Sequence, residues 1–217
     1  MDKSFTKKLY EEHHAKRRAP GFSILKEERG NLFASVIGKD KNVLDIGCRD
    51  GALTKFFIEG NNVTGGDVDA IALRKAGELG IEAIEMDLYG DWEELEGRKF
   101  DVIVAGEVLE HLFFPEKIVE KVRDHLNSDG VFVGSVPNAF SFKNRIKYLF
   151  GVKKNTPLSD PTHINHFSRG EIMELLSRYF TSVYALPLGR FSVLDKFWPG
   201  MFSFDLVFVC KNNFKAK

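Results

Sequence analysis

The stretch 43–54, Val-Leu-Asp-Ile-Gly-Cys-Arg-Asp-Gly-Ala-Leu-Thr, limits what this chain can fold into more than any other. Two apolar residues, an acid, another apolar residue and then two glycines four apart, Gly47 and Gly51, read as a buried strand that ends in a tight loop and opens a helix. In an open parallel sheet, crevices for nucleotide-like ligands form beyond the carboxyl ends of the strands. Glycine there lets the backbone approach a ligand with no Cβ in the way. A dinucleotide fingerprint needs G-x-G-x-x-G/A with a pyrophosphate on the helix N-terminus. In the frame that begins at Gly47, the second glycine is replaced by Arg49, where the pyrophosphate would come closest. The spacing therefore disfavours a nicotinamide oxidoreductase.

Composition adds bounds. A chain of 217 residues, 43% hydrophobic and 29% charged, is ordinary for one soluble globular domain. Lys plus Arg (31) equals Asp plus Glu (31), so no global field draws the protein to nucleic acid, and nucleic acid is not the expected partner. The two cysteines, Cys48 in the glycine loop and Cys210 in an apolar run, suggest neither a zinc site nor a disulfide framework. The first eight residues lack the apolar segment of a signal peptide, and no apolar run reaches transmembrane length, so the expected location is cytoplasmic.

Along the chain, residues 1–26 are charged and break at Ala19-Pro20-Gly21; they read as a solvated leader or as a cover over a pocket. Leu32, Phe33, Val36 and Ile37 recur at helical spacing, which predicts an amphipathic helix over 27–37 with Arg29 near its start. After the first strand and its loop, the pattern predicts a helix over 52–59, a stop at 60–62, and a short strand over 62–69 that ends in acids. Asp67 lies 20 residues beyond Gly47, where an acid suits a bidentate hydrogen bond to vicinal ribose hydroxyls. Asp67 or Asp69 could equally cap the next helix, over 70–79; we assign the ribose to Asp67 and the cap to Asp69.

Strands are then expected over 81–88, 100–106 and 131–138, a helix over 115–126 and a turn at 128–130. Strand and helix alternate five times, which predicts right-handed crossovers, a parallel sheet and helices on both faces. The remainder differs. Residues 139–167 break the period, a helix follows over 169–179, and strands over 182–186 and 204–210 flank a long loop over 190–201 rich in Phe, Trp and Gly.

In this order the pieces resemble the broad family of small class I S-adenosylmethionine-dependent methyltransferases that includes the ubiquinone-biosynthesis O-methyltransferases. Four stretches carry the resemblance: 43–54, whose acid and glycines are like that family's first motif; 100–112, with Glu-Val-Leu-Glu-His-Leu; 126–138; and His-Ile-Asn-His-Phe-Ser at 163–168 before a helix. Together they span about residues 29–210. The resemblance implies an α/β fold, Rossmann-like and doubly wound, with a mostly parallel seven-stranded sheet and an antiparallel last strand. It implies one domain over 27–217, with acceptor insertions at 139–167 and 190–202. It also implies S-adenosylmethionine as cofactor, S-adenosylhomocysteine as product, and cofactor-binding roles for Asp45, Gly47, Cys48, Gly51, Val68 and Glu107 beside Asp67. Asp87 becomes the partner of the adenine amino group, or a simple turn residue, and Leu88 a backbone neighbour of the ring. Arg29 reaches the methionine carboxylate or lies on the surface. Arg49 stands where the family usually has glycine, and either turns to solvent or reaches that same carboxylate. Ala-Gly-Glu-Val from 105 onward is not the Asn/Asp-Pro-Pro-Tyr of enzymes that methylate DNA bases, which disfavours that substrate.

A sulfonium methyl is already activated, so the protein must mainly align donor and acceptor and keep water out. A hydroxyl acceptor also needs a base, and His111, His163 and His166 are the candidates, His111 first. With Glu110 the latter two invite a metal reading, but their spacing is no recognisable ligand pattern, and no metal is assigned. Phe140, Phe142, Ile146, Leu149 and Phe150 form an apolar stripe interleaved with Lys143, Arg145 and Lys147. This is an ordinary amphipathic lid, or a cover whose cations meet an anionic acceptor or an anionic membrane surface. The expectation is methyl transfer to a small or carrier-linked acceptor, at oxygen before nitrogen or carbon. RNA or protein methylation and non-catalytic S-adenosylmethionine binding are the alternatives.

Overall fold

The computed structural model describes residues 25–211. Seven strands, β1 (Asn42–Ile46), β2 (Asn62–Asp67), β3 (Glu82–Glu85), β4 (Phe100–Gly106), β5 (Leu126–Pro137), β6 (Ser182–Leu188) and β7 (Asp205–Lys211), form one sheet in the order β3-β2-β1-β4-β5-β7-β6. β1 runs parallel to β2 and β4, and β2 parallel to β3, whereas β7 is antiparallel to both β5 and β6. This is the expected Rossmann-like sheet with its antiparallel last strand. The chain divides after Val104 into two compact units.

The first unit carries α1 (Lys26–Ile37), β1 to β3, α2 (Ala70–Glu78) and the start of β4. Apolar residues of β1 and β4, among them Val43, Leu44, Ile46 and Ile103, are fully buried, as a central parallel strand requires. Each such side chain contributes about 1.5–3 kcal/mol of hydrophobic stabilisation. Asp69 caps α2, its Oδ1 accepting from the Ile71 and Ala72 N–H groups at 3.0 Å each, as the sequence led us to expect. The expected helix over 52–59 is instead a single 3-10 turn, Thr54–Phe56. Thr54, Phe56, Phe57 and Ile58 are poor helix formers, and Thr54 is held by a buried partner rather than by a helical turn. β3 stops at Glu85, short of its expected end: the Met86 N–H still makes a ladder bond to the Asp67 carbonyl (2.9 Å), and residue 87 then begins a turn.

The second unit holds the rest of β4, α3 (Pro115–His125), β5, α4 (Phe142–Leu149), α5 (Arg169–Ser177), β6 and β7. α3 opens with Pro115, whose missing N–H costs nothing at a helix start. α5 opens on a capping box: Ser168 Oγ accepts from the Glu171 N–H, and Glu171 Oε2 accepts from the Ser168 N–H. No turn interrupts residues 128–130. The chain leaves α3 straight into β5, which therefore begins five residues before its expected start. The loop between β6 and β7 is also not plain loop, since Ser192–Lys196 forms a 3-10 segment. Among the described residues no helix is long and apolar enough to cross a membrane.

Candidate active site

In the first unit the loop after β1 is bent by three left-handed residues, Gly47 (φ 73°), Arg49 (φ 52°) and Gly51 (φ 74°). That conformation is free for glycine and costs a side-chain-bearing residue about 1–2 kcal/mol, which gives a physical reason for the glycine expected at position 49. The loop is tied to β2 by its backbone. The Gly47 and Cys48 N–H groups both donate to the Gly66 carbonyl, at 2.7 and 3.3 Å. A Cβ on Gly65 would stand 2.7 Å from Cys48 Sγ, so β2 and the loop touch closely because β2 carries glycines there.

Asp67, buried at the end of β2, is gripped from two sides. Its Oδ2 accepts the Arg49 N–H and its Oδ1 the Asp69 N–H, at 2.9 Å each. Asp45, on β1, takes a 2.7 Å hydrogen bond from Thr54 Oγ1. Burial pushes the Asp45 carboxyl up to about 7, the Thr54 hydroxyl opposing and the nearby Asp67 charge reinforcing the shift. The Cys48 thiol is raised well above its ordinary value, by burial first and then by the charges of Asp45 and Asp67.

Arg29 is 1% exposed, which corrects the reading of a surface arginine and leaves its expected carboxylate role as a proposal. Asp87 serves its own turn: Oδ1 accepts the Tyr89 N–H and its carbonyl the Gly90 N–H, both at 2.9 Å. Val68 and Leu88 are half-buried, and the Leu88 carbonyl accepts the Trp92 indole N–H at 3.1 Å.

The second unit gathers a different group. Glu107, just past β4, is also left-handed (φ 61°). Its N–H donates to the Ser135 carbonyl and its Oε1 accepts from Ser135 Oγ, both at 3.0 Å, so β5 sets the direction of this carboxylate. Glu110 and His111 lie on a 3-10 turn, Leu109–His111, and not at the start of a helix. His163 comes from the segment between α4 and α5. The rings of His111 and His163 stand 4.9 Å apart, edge to face.

Two carbonyls fix the chemistry of these rings. His111 Nδ1 lies 2.9 Å from the Thr162 carbonyl and His163 Nδ1 lies 3.2 Å from the Pro157 carbonyl. A carbonyl only accepts, so each Nδ1 carries the proton and donates it, and in the neutral ring Nε2 carries the lone pair. Glu110, 2% exposed, has its Oε1 3.8 Å from His111 Nε2. One donor atom each from Glu110, His111 and His163 lie within 4.8 Å of one another. That set can serve as a base poised beside a carboxylate. It can also hold a small divalent cation, since imidazoles with Nδ1 pinned to carbonyls are the usual ligand arrangement. His166 stands apart from the three, its ring 6.5 Å from that of His163.

Several residues that shape these groups have no motif to betray them. Asp160 Oδ1 accepts from both the N–H and the hydroxyl of Thr162, at 3.0 and 2.7 Å, and so fixes the carbonyl on which His111 rests. The Ile164 and Asn165 N–H groups donate to the Glu110 carbonyl at 2.9 Å each, and the Asn165 amide to the Leu112 carbonyl. Thr54 and Ser135 act likewise on Asp45 and Glu107. Hydroxyls and turn residues are common throughout the sequence, and only the fold reveals which ones aim a functional group.

Comparison with known proteins follows the same outline. Residues 13–179 match a family model described as a methyltransferase domain. A ubiquinone biosynthesis O-methyltransferase from Actinobacillus pleuropneumoniae is 33% identical over 108 residues, 45% of this chain and 46% of that protein. One from Paraburkholderia phytofirmans is 33% identical over 121 residues, 52% of this chain and 49% of that protein. The chain thus spans about half the length of the curated relatives it matches. Among solved structures, a SAM-dependent methyltransferase from Archaeoglobus fulgidus superposes with a TM-score of 0.68 at 15% identity, over 94% of this chain and 99% of that one. The plantazolicin methyltransferase BpumL in complex with SAH gives 0.63 at 16%, over 95% and 90%. At these identities the structural likeness speaks for the fold.

Proposed function

Because the chain belongs to the methyltransferase domain family, we propose that it is an S-adenosylmethionine-dependent methyltransferase whose acceptor is a small or carrier-linked molecule methylated at oxygen. The observation that carries this is the left-handed glycine loop tied to β2, with the buried Asp67 carboxylate gripped at its edge. A carboxylate held there by backbone N–H groups, in a loop with no phosphate-binding glycine triplet, fits a nucleoside with vicinal hydroxyls and no pyrophosphate. When bound, S-adenosylmethionine supplies an activated methyl group.

The chain's own residues do the rest. Asp67 holds the ribose hydroxyls, with Gly47, Cys48, Arg49, Gly51 and Val68 forming the surrounding wall. Asp87 and Leu88 meet the adenine, and Arg29 and Asp45 complete the set. Glu107, aimed by Ser135, is the cofactor-binding residue of the second unit. His111 or His163 takes the acceptor proton at Nε2, the nitrogen left basic when Nδ1 donates to its carbonyl. Transfer at oxygen is supported by the names of the curated relatives.

A second reading is favoured by one observation, the convergence of Glu110, His111 and His163: these residues hold a divalent cation that orients the acceptor oxygen. Calorimetric titration with S-adenosylmethionine, and separately with NADH, tests the cofactor. Saturable binding of the first alone, lost in Asp67→Ala, is expected. Transfer of labelled methyl to a panel of hydroxylated acceptors, with and without chelator, then tests the acceptor atom and chooses between base and cation.

A further inference from the structure

One face of the second unit leaves a stripe of large apolar side chains exposed. On α4 the side chains of Phe142, Ile146, Leu149 and Phe150 fall at i, i+4, i+7 and i+8, one stripe of the helix. Such a stripe normally faces a core. Here it faces outward, with Leu149 77% and Phe150 75% exposed. The stripe does not stand alone. The Phe142 N–H donates to the Met201 carbonyl at 2.7 Å, and the ring of Phe202 lies 5.9 Å from that of Phe142 and 6.3 Å from that of Trp198. Through these contacts α4 joins the loop between β6 and β7, where Val193, Phe197 and Trp198 are each about two-thirds exposed. The result is a continuous outward apolar ridge of a kind that monomers rarely leave to water.

Its charge is one-sided. Lys143, Arg145, Lys153 and Lys154 are exposed on or just after α4, and Arg190 and Lys196 on the loop. No Asp or Glu occurs between Asp129 and Asp160. The one acid of the loop, Asp195, is buried and turned inward, accepting from the Phe202 and Ser203 N–H groups at 2.6 and 3.2 Å. Although the formal net charge of the chain is zero, these cations surround the most exposed apolar side chains, and no ion pair joins them to an acid among the described residues.

We propose that this face docks on an anionic membrane surface, the ridge entering the acyl boundary and the cations lying among the headgroups. A ridge of Phe, Trp and Leu rimmed by Lys and Arg is the composition of an interfacial element, in which buried apolar area and attraction to anionic lipid act together. A second copy of the chain fits less well, because a two-fold contact would set the same cations against each other. Nucleic acid would engage the cations but leave Leu149, Ile146 and Val193 without a counterpart.

The test is flotation of the full chain with vesicles of phosphatidylcholine alone and of phosphatidylcholine mixed with phosphatidylglycerol. Binding to the mixed vesicles, weakened by salt and much weaker on phosphatidylcholine alone, is expected. The double variant Leu149→Ser with Phe150→Ser should lose it by tenfold or more, about the effect of removing two inserted side chains. Lys143→Gln, Lys153→Gln and Lys154→Gln should each weaken it by about fivefold. Lys147 is left unaltered, since its ammonium donates to the Lys154 and Asn155 carbonyls at 3.1 Å each and holds the turn together. Calorimetry with S-adenosylmethionine, unchanged in every variant, shows that the fold persists and keeps this test separate from that of the enzymatic reading. The proposal is overturned by failure to bind either vesicle, by equal binding of the Leu149–Phe150 variant, by salt-sensitive RNA retention without vesicle binding, or by a dimer in light scattering that this variant dissolves.

Discussion

The backbone N–H of Arg49 donates to Oδ2 of Asp67 at 2.9 Å, joining a left-handed loop residue to the acid at the end of the neighbouring strand. The link uses the main chain of Arg49 and the side chain of Asp67, so the two residues answer differently to substitution. Arg49→Gly keeps the donor and removes the penalty of a Cβ at φ 52°. We expect it to be more stable than Arg49→Ala, which loses the same side-chain contacts but keeps the Cβ, by up to about 1 kcal/mol, and to leave S-adenosylmethionine affinity within a fewfold. Asp67→Ala strips an acceptor from the buried Asp69 N–H and the half-buried Arg49 N–H and should cost about 1–3 kcal/mol besides abolishing binding. Urea unfolding and calorimetry of these variants measure this; an Arg49→Gly no more stable than Arg49→Ala would refute the strain argument.

Asp45 makes stability depend on pH in a direction opposite to most carboxylates. Its ordinary value of 3.8 is raised to about 7 in the folded protein. Between these limits the folded chain holds a proton that the unfolded chain has released. This residue's contribution is therefore fully present below pH 4 and declines as pH rises toward 7, by up to roughly 1.4 kcal/mol per pH unit. Asp45→Asn accepts the same hydrogen bond from Thr54 and does not titrate. The stability difference, variant minus wild type, should accordingly grow from pH 4 to pH 7 in urea unfolding, and a flat difference would overturn the assignment.

Cys48 sits in a loop expected to touch the cofactor, yet burial and the charges of Asp45, Asp67 and Asp50 hold its thiol well above the usual range. It should resist iodoacetamide in the native protein at pH 8 and react only on unfolding. Fast native alkylation, located by mass spectrometry, would show that the loop opens more readily than its hydrogen bonds to Gly66 imply.

How much of this was legible beforehand depends on how local the cause is. The strands around Gly47, Asp67 and Gly106 were readable because buried parallel strands are short apolar runs closed by glycine or acid, a pattern confined to a few neighbours. Asp69 as a cap was readable for the same reason. The helix expected over 52–59 failed because Thr54 is claimed by Asp45, nine residues earlier in the chain. Arg29 could not be placed inside or outside from its own helix, since its burial is decided by tertiary packing. The convergence of His111 and His163 lies further still from local sequence: residues 52 apart in number meet only because carbonyls of Pro157 and Thr162 hold both rings. Spacing alone gave no ligand pattern there, and none exists in the sequence to be found.

That arrangement also makes Asp160 a positioning residue, because its carboxylate holds Thr162, on whose carbonyl the His111 ring rests. Replacing it with alanine frees the Thr162 backbone and hydroxyl. The carbonyl that fixes the His111 tautomer then wanders, and with it the nitrogen we propose as a base. Asp160→Ala should lower kcat by about tenfold, within the range of a displaced general base, while S-adenosylmethionine affinity stays unchanged. His111→Gln should lower kcat further and remove the acidic limb of the pH–rate profile, which Asp160→Ala should only shift. Asp160→Asn, whose amide oxygen still accepts from Thr162, should recover most of the rate. If Asp160→Ala instead altered cofactor affinity and left kcat alone, the loop would serve the fold and not the proton.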